Sequence, residues 1–159
     1  MEHSEISSLT WQWAAFHELT VEELYAILML RQRVFVVEQY CPYPDIDGKD
    51  ERCFHLCGWR GSPDSPRELL AYLRVLPPGV SFPELSLGRI VTAPEVRGTG
   101  LGRQLMHKGL EMTEQAFGPQ PIRISAQMHL KKFYETFGFR QVSEPYDEDG
   151  ILHIEMLRE

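Results

Sequence analysis

The sequence predicts an α/β domain, α+β in kind, on a mixed, mainly antiparallel central sheet of about seven strands flanked by helices. Three observations carry this. Strand-like runs and runs with helical spacing follow the order β, α, three strands, α, β, α, β, β. The three consecutive strands are linked by turns, which makes a meander, and the later helices separate strands, which makes crossovers. The chain has 159 residues and no internal repeat or low-complexity segment, so residues 1–159 are expected to form a single domain with one core.

Leu9 to Phe16 reads as the first strand, with Leu9, Trp11 and Trp13 alternating against polar neighbours. A helix start follows. Thr20 is a good N-cap, Glu23 completes a capping box, and Leu19 and Leu24 sit where a hydrophobic staple would place them. The helix is expected to run through "VEELYAILMLRQRVFVVEQ", with its β-branched end loosening. "YCPYPDIDGKDE" is a loop. Cys53 to Trp59 and "LLAYLRVL" form a hairpin across "RGSPDSPRE". "LSLGRIVTA" is the third strand of the meander, and its central glycine hints at a bulge.

From Gly100 or Leu101 the pattern turns helical, with Leu101, Leu105, Met112 and Ala116 on one stripe and a stop at Gly118-Pro119. "IRISAQ" is a short strand, and "HLKKFYETFGF" a short helix closed by Gly138. "RQVSEPYDEDGILHIEMLRE" reads as a last hairpin around Asp149-Gly150.

Composition narrows the function. The formal net charge is −7 and the basic residues are scattered, which argues against a nucleic-acid partner and suits a cationic small substrate or plain solubility. The N-terminus lacks the basic and apolar regions of a signal peptide, and no apolar run reaches membrane-spanning length, so no membrane partner is expected. Cys41, Cys53 and Cys57 make no even disulfide framework, which points to a reducing cytoplasm. Cys53, His55 and Cys57 share a strand face, but C-x-H-x-C lacks the usual zinc-ligand spacing, so no metal is expected. His55 and His153 lie in strand-like runs and read as packed or hydrogen-bonded residues.

The stretch "VRGTGLGR", residues 96–103, concentrates glycine between a strand and a helix. A P-loop needs a lysine after its glycines, and none follows. A dinucleotide fingerprint needs a third glycine where Arg103 or Leu105 stands, which disfavours a dinucleotide-dependent oxidoreductase. What remains is a run of backbone N–H groups at a helix N-terminus, with Arg97 and Arg103 adding charge. Spacing alone leaves two readings level: a pyrophosphate cradle, or a glycine-rich turn that binds nothing.

Arg97, Gly100 and Gly102 also fill the pattern Arg/Gln-x-x-Gly-x-Gly/Ala. With the strand before it, the helix and "IRISAQ" after it, and then "FYETFGF", the chain resembles the GNAT superfamily of N-acetyltransferases. "LRQRVFVVEQYCPYPDIDG", "SAQMHLKKFYETFGF" and "YDEDGILHIEM" resemble its ElaA-like subgroup. The chain departs from that subgroup in a shorter loop between Asp50 and His55, and in Leu152 where a proline is expected.

The resemblance implies an acyl-CoA N-acyltransferase fold and acetyl transfer from acetyl-CoA, as cosubstrate and without metal, to a primary amine of a small molecule or peptide. The amine would attack directly in a ternary complex. Backbone groups of Ile90, Val91 and Thr92 would pair with the pantetheine arm, and an N–H there would polarise the thioester. Gly98, Thr99, Gly100, Leu101, Gly102 and Arg103 would hold the pyrophosphate, with Arg97 beside them and Phe133 as a further cofactor contact. Tyr134 would protonate the leaving thiolate. Many members carry a basic glutamate on the preceding strand. Ser86 stands at that position, so Glu84, Glu38, His129 or ordered water is left for that task. The alternative is a non-catalytic acyl-CoA-binding or regulatory module. The amine, the acyl chain length and the formation of a homodimer are left open.

Overall fold

The computed structural model describes residues 9–62 and 64–159. Most of the N-terminal stretch read for a leader, and Pro63 in the first hairpin turn, lie outside the described residues. The strands are β1 (Thr10–Ala15), β2 (Phe54–Arg60), β3 (Glu68–Leu76), β4 (Ser86–Thr92), β5 (Ile122–Gln127), β6 (Arg140–Gln141), β7 (Tyr146–Glu148) and β8 (Ile151–Arg158). The α-helices are α1 (Val21–Arg31), α2 (Leu101–Phe117) and α3 (Lys131–Glu135).

The mixed α/β class is as expected, but the strands form two antiparallel half-sheets. One has the order β1-β2-β3-β4; the other has β5-β8-β6, with β7 also on β8. They touch at one parallel bridge, Leu85 to Ile122, where the Arg123 N–H donates to the Leu85 carbonyl at 2.9 Å. Past that point β4 and β5 share no ladder. They diverge and leave a V-shaped gap whose edges carry unpaired backbone groups. The strand count rises from about seven to eight because Arg140 and Gln141 pair with β8, a contact too short for periodicity to announce.

The capping box forms as read. Thr20 Oγ1 accepts from the Glu23 N–H at 3.1 Å, and Glu23 Oε1 accepts from the Thr20 N–H at 2.8 Å. The helix, however, is α-helical only to Arg31 and continues as a π-helix over Gln32–Glu38. Its last turns use i→i−5 bonds, from the Gln39 N–H to the Val34 carbonyl at 3.2 Å and from the Cys41 N–H to the Val36 carbonyl at 3.0 Å. The β-branched end thus widens rather than frays.

The stripe of α2 also turns from its expected line. Leu101, Leu105, Met106, Gly109 and Thr113 are buried, whereas Ala116 is exposed. A Cβ on Gly109 would lie 2.7 Å from Leu73 Cδ2, so this glycine lets α2 settle closely on β3.

Candidate active site

At the N-terminus of α2 the chain makes an open nest. Gly98 and Gly100 have φ of +80° and +86°, a conformation that disfavours side chains, and a Cβ at either would meet nothing within 4 Å. No side chain caps this 17-residue helix. The N–H groups of its first residues, Leu101, Gly102 and Arg103, have no intrahelical partner and face the positive end of the dipole. Arg97 and Arg103 flank the nest and are exposed. Arg103 lies over Phe133 and Phe137 at 5.6 and 5.7 Å from the ring centroids and donates to Thr136 Oγ1 at 3.2 Å. Phe133 sits against the first turn, with Cζ 4.0 Å from a Cβ built on Gly102. This is a donor set for an anion such as a pyrophosphate.

Upstream of the nest the chain runs back to the end of β4. The Ala93 N–H donates to the Leu70 carbonyl at 2.8 Å, so strand alternation turns the backbone of Thr92 toward the open side. In β4 the register slips. Tyr72 faces Val91 and Arg74 faces Gly88, so Arg89 and Ile90 together oppose Leu73. This is the bulge that Gly88 hinted at, but its left-handed residue is Arg89, with φ of 49°. A non-glycine residue there costs roughly 1–3 kcal/mol and persists only where its surroundings hold it.

A buried ion network does the holding. Arg89 Nε lies 2.7 Å from Asp45 Oδ1. Arg31 reaches Asp45 Oδ2 at 2.9 Å and Asp50 Oδ1 at 2.7 Å, and Arg74 reaches Asp47 Oδ2 at 2.5 Å and Asp50 Oδ1 at 2.9 Å. Three arginines thus neutralise three aspartates. Burial alone would raise the Asp47 and Asp50 carboxyls, but hydrogen bonds and charge from Arg74, with Arg89 and the Lys49 N–H at Asp47 and Arg31 at Asp50, outweigh it and hold both below the usual carboxylate range. The loop over residues 45–50 is a structural clamp on α1, β3 and β4. Behind it, His55 Nε2 donates to the Asp50 carbonyl at 2.9 Å, which leaves Nδ1 to accept from the Tyr72 hydroxyl at 2.7 Å. Both ring nitrogens are therefore occupied, as the packed reading expects. Among the described residues, no three or more His, Cys, Asp or Glu side chains are grouped to hold a metal.

A cleft of about 550 Å³ opens between β4 and β5; Ser86, Ile90, Tyr134, Glu148 and His153 are among the residues lining it. Tyr134 is buried, and burial pushes its hydroxyl up to about 12, so it carries its proton at neutral pH. Ser86 does line the cleft, in place of a carboxylate. Glu84 is engaged by Arg123 through two bonds of 3.1 and 2.8 Å. Glu38 is half exposed, outside the cleft lining, with Oε1 2.5 Å from Arg97. His129 is exposed on the 3₁₀ turn Met128–Leu130 and also outside the lining. The structure therefore brings Tyr134 and Ile90 to one cleft, while the nest, Glu38 and His129 lie outside its lining; the nest is linked to the cleft through Phe133, which packs against Gly102 and adjoins Tyr134.

The second half-sheet carries a polar cluster whose members the sequence does not relate to one another, His153 reading there only as a packed or hydrogen-bonded residue. Ser125, Tyr146, Glu148 and His153 come together there by pairing register. The nearest signal was the Asp149-Gly150 turn, whose two positive φ values of 53° and 84° set that register.

A splayed sheet, an uncapped glycine nest and a tyrosine in the gap define the class, and the family comparison agrees. Residues 80–159 match the model described as "Acetyltransferase (GNAT) domain", and the chain belongs to this acyltransferase family. Within it the chain falls among the ElaA-like proteins. It is 44% identical over 155 residues to Protein ElaA of Escherichia coli (strain K12), covering 95% of this chain and 97% of that one. The crystal structure of Escherichia coli ElaA superposes with a TM-score of 0.85 over 95% of this chain and 99% of that chain. An acyl-CoA N-acyltransferase from Pseudomonas aeruginosa, also 44% identical, superposes with 0.88 over 96% and 100%.

Proposed function

We propose that this protein is a single-domain, cytoplasmic, acetyl-CoA-dependent N-acetyltransferase that modifies a primary amine of a small molecule or peptide. The observation that carries the reading is a glycine nest at the start of α2 that follows, along the chain, the β4 edge lining the cleft between the half-sheets. An extended thioester arm with an anionic tail needs an anion seat at one end and an unpaired strand edge along its length; the nest suits the first and the β4 edge the second. The Pseudomonas aeruginosa relative is an acyl-CoA N-acyltransferase, which supports the donor class. Three buried, unpaired cysteines fit a reducing compartment. No helix among the described residues is long and apolar enough to cross a membrane.

The chemistry follows from the groups present. N–H groups of residues 98–103 hold the pyrophosphate, with Arg97 adding charge. The β4 edge from Ile90 to Thr92 pairs with the arm, and an N–H freed by the bulge stabilises the oxyanion of the tetrahedral intermediate. Tyr134 gives its proton to sulfur as the C–S bond breaks.

The test is free-thiol release from acetyl-CoA across a panel of amines, with Tyr134→Phe beside the wild type. Removing a general acid is expected to lower kcat by about 10²-fold with the KM for acetyl-CoA unchanged. CoA binding without amine-dependent release would instead favour a non-catalytic acyl-CoA-binding module, the reading to which Ser86 lends weight. Undiminished turnover in the variant would remove Tyr134 as the acid.

A further inference from the structure

The acceptor side of the cleft holds a histidine–carboxylate pair with a defined proton geometry. His153 is buried on β8, opposite Gln127 of β5 and Tyr146 of β7. Its Nδ1 lies 2.8 Å from the Ile151 carbonyl, which can only accept, so Nδ1 carries hydrogen. Any further proton must go to Nε2. Glu148 Oε2 stands 3.3 Å from that nitrogen. Ser125 Oγ donates to the same carboxylate oxygen at 3.4 Å and shares a 2.5 Å bond with the Tyr146 hydroxyl, whose ring stacks on His153 at 6.1 Å. The β8 ring is therefore fixed in tautomer and plane. Glu148, half exposed, is free to meet an incoming cation.

We propose that His153 is the base that accepts the acceptor's proton, with Glu148 as the positioning residue that draws in the ammonium and steadies the imidazolium. The inference rests on the N-acetyltransferase reading. The proton balance is complete. The ammonium loses one proton to Nε2, and the neutral nitrogen attacks the thioester carbon. The C–N bond forms, the oxyanion collapses and the C–S bond breaks. Sulfur takes the Tyr134 proton, and the second proton shed by nitrogen restores Tyr134. His153 then releases its proton to water. The products are the amide, free thiol and one proton. A carboxylate beside Nε2 also makes the acceptor class cationic, since no other charge stands within hydrogen-bonding distance of that nitrogen among the described residues.

The test uses the full chain with acetyl-CoA and three probes: 1,4-diaminobutane, 2-phenylethylamine and glycylglycine. The titratable or charged groups facing the ring or lining the same cleft are Glu148 and Tyr146 of β7, Asp149 of the turn, Tyr134 of α3, Cys41, Tyr43, Asp47 and Lys49 of the loop before β2, Arg74 of β3 and Arg89 of β4. Each pH profile is therefore compared between variants with one amine. His153→Asn is expected to lower kcat by about 10²-fold, with CoA affinity unchanged as the control for folding, and to flatten the acidic limb of kcat/KM. Glu148→Gln should raise the amine KM several-fold with a smaller loss in kcat and the acidic limb retained. A His153→Asn enzyme with kcat within twofold of wild type, or with its acidic limb intact, overturns the base role alone. Wild-type protein that acetylates none of the three amines overturns the N-acetyltransferase reading and the base role with it.

Discussion

Gly100 shows how much one residue can decide in this protein. Its φ of +86° makes room for the nest, and the space above it is open. Gly100→Glu is expected to weaken CoA binding by more than tenfold, because a carboxylate would sit in the anion seat. The left-handed backbone adds a folding cost of about 1–2 kcal/mol. Calorimetric titration with CoA beside a thermal melt separates the two effects, and unchanged affinity would discredit the nest. Glu38 is the opposite case. Its carboxylate holds Arg97 and lies outside the cleft lining. Glu38→Gln should tighten CoA binding by less than about fivefold, the range of an exposed ion pair, and leave the amine KM unchanged. A raised amine KM would return Glu38 to the acceptor site.

At the scale of elements, the clamp loop between the π-helix and β2 links stability to pH. Burial holds the His55 imidazole below its usual range. The unfolded chain therefore takes up a proton that the fold refuses, and stability falls as pH drops below about 6.5. Asp47 and Asp50 are also held low, so their contribution is complete above about 4 and is lost as pH falls below it. Urea midpoints measured from pH 8 to pH 3 should show both limbs. His55→Gln should flatten the upper limb and keep the lower one; an unchanged upper limb would assign it elsewhere. The same loop supports the Arg89 bulge, so a segment that reads in the sequence only as a loop is what shapes β4.

For the whole molecule, the gap depends on two half-sheets joined at Leu85 and Ile122 and diverging beyond. A ligand in that gap should tie the halves together. At a hundred times Kd, CoA is expected to stabilise the fold by about 2.7 kcal/mol. Hydrogen exchange should slow over residues 86–92 and 98–103 and stay unchanged in β1 and β2. Uniform protection across the chain, or none, would contradict binding between the halves.

The sequence by itself determined the local elements and the glycine nest that is proposed as the donor seat. The Thr20 capping box, the start of α2 at Leu101, the Ile122–Gln127 strand and the Asp149-Gly150 turn are written in residues close together along the chain. The same is true of the glycine run between Arg97 and Arg103, because a nest and a helix N-terminus are properties of consecutive backbone units. Only the tertiary structure decided where the sheet opens, that three aspartates of one loop neutralise arginines from α1, β3 and β4, and that Glu148 meets His153. Each of these depends on strand register and burial. Those bring together groups that no spacing relates, and they settle which charges are cancelled in the core and which are left to meet a substrate.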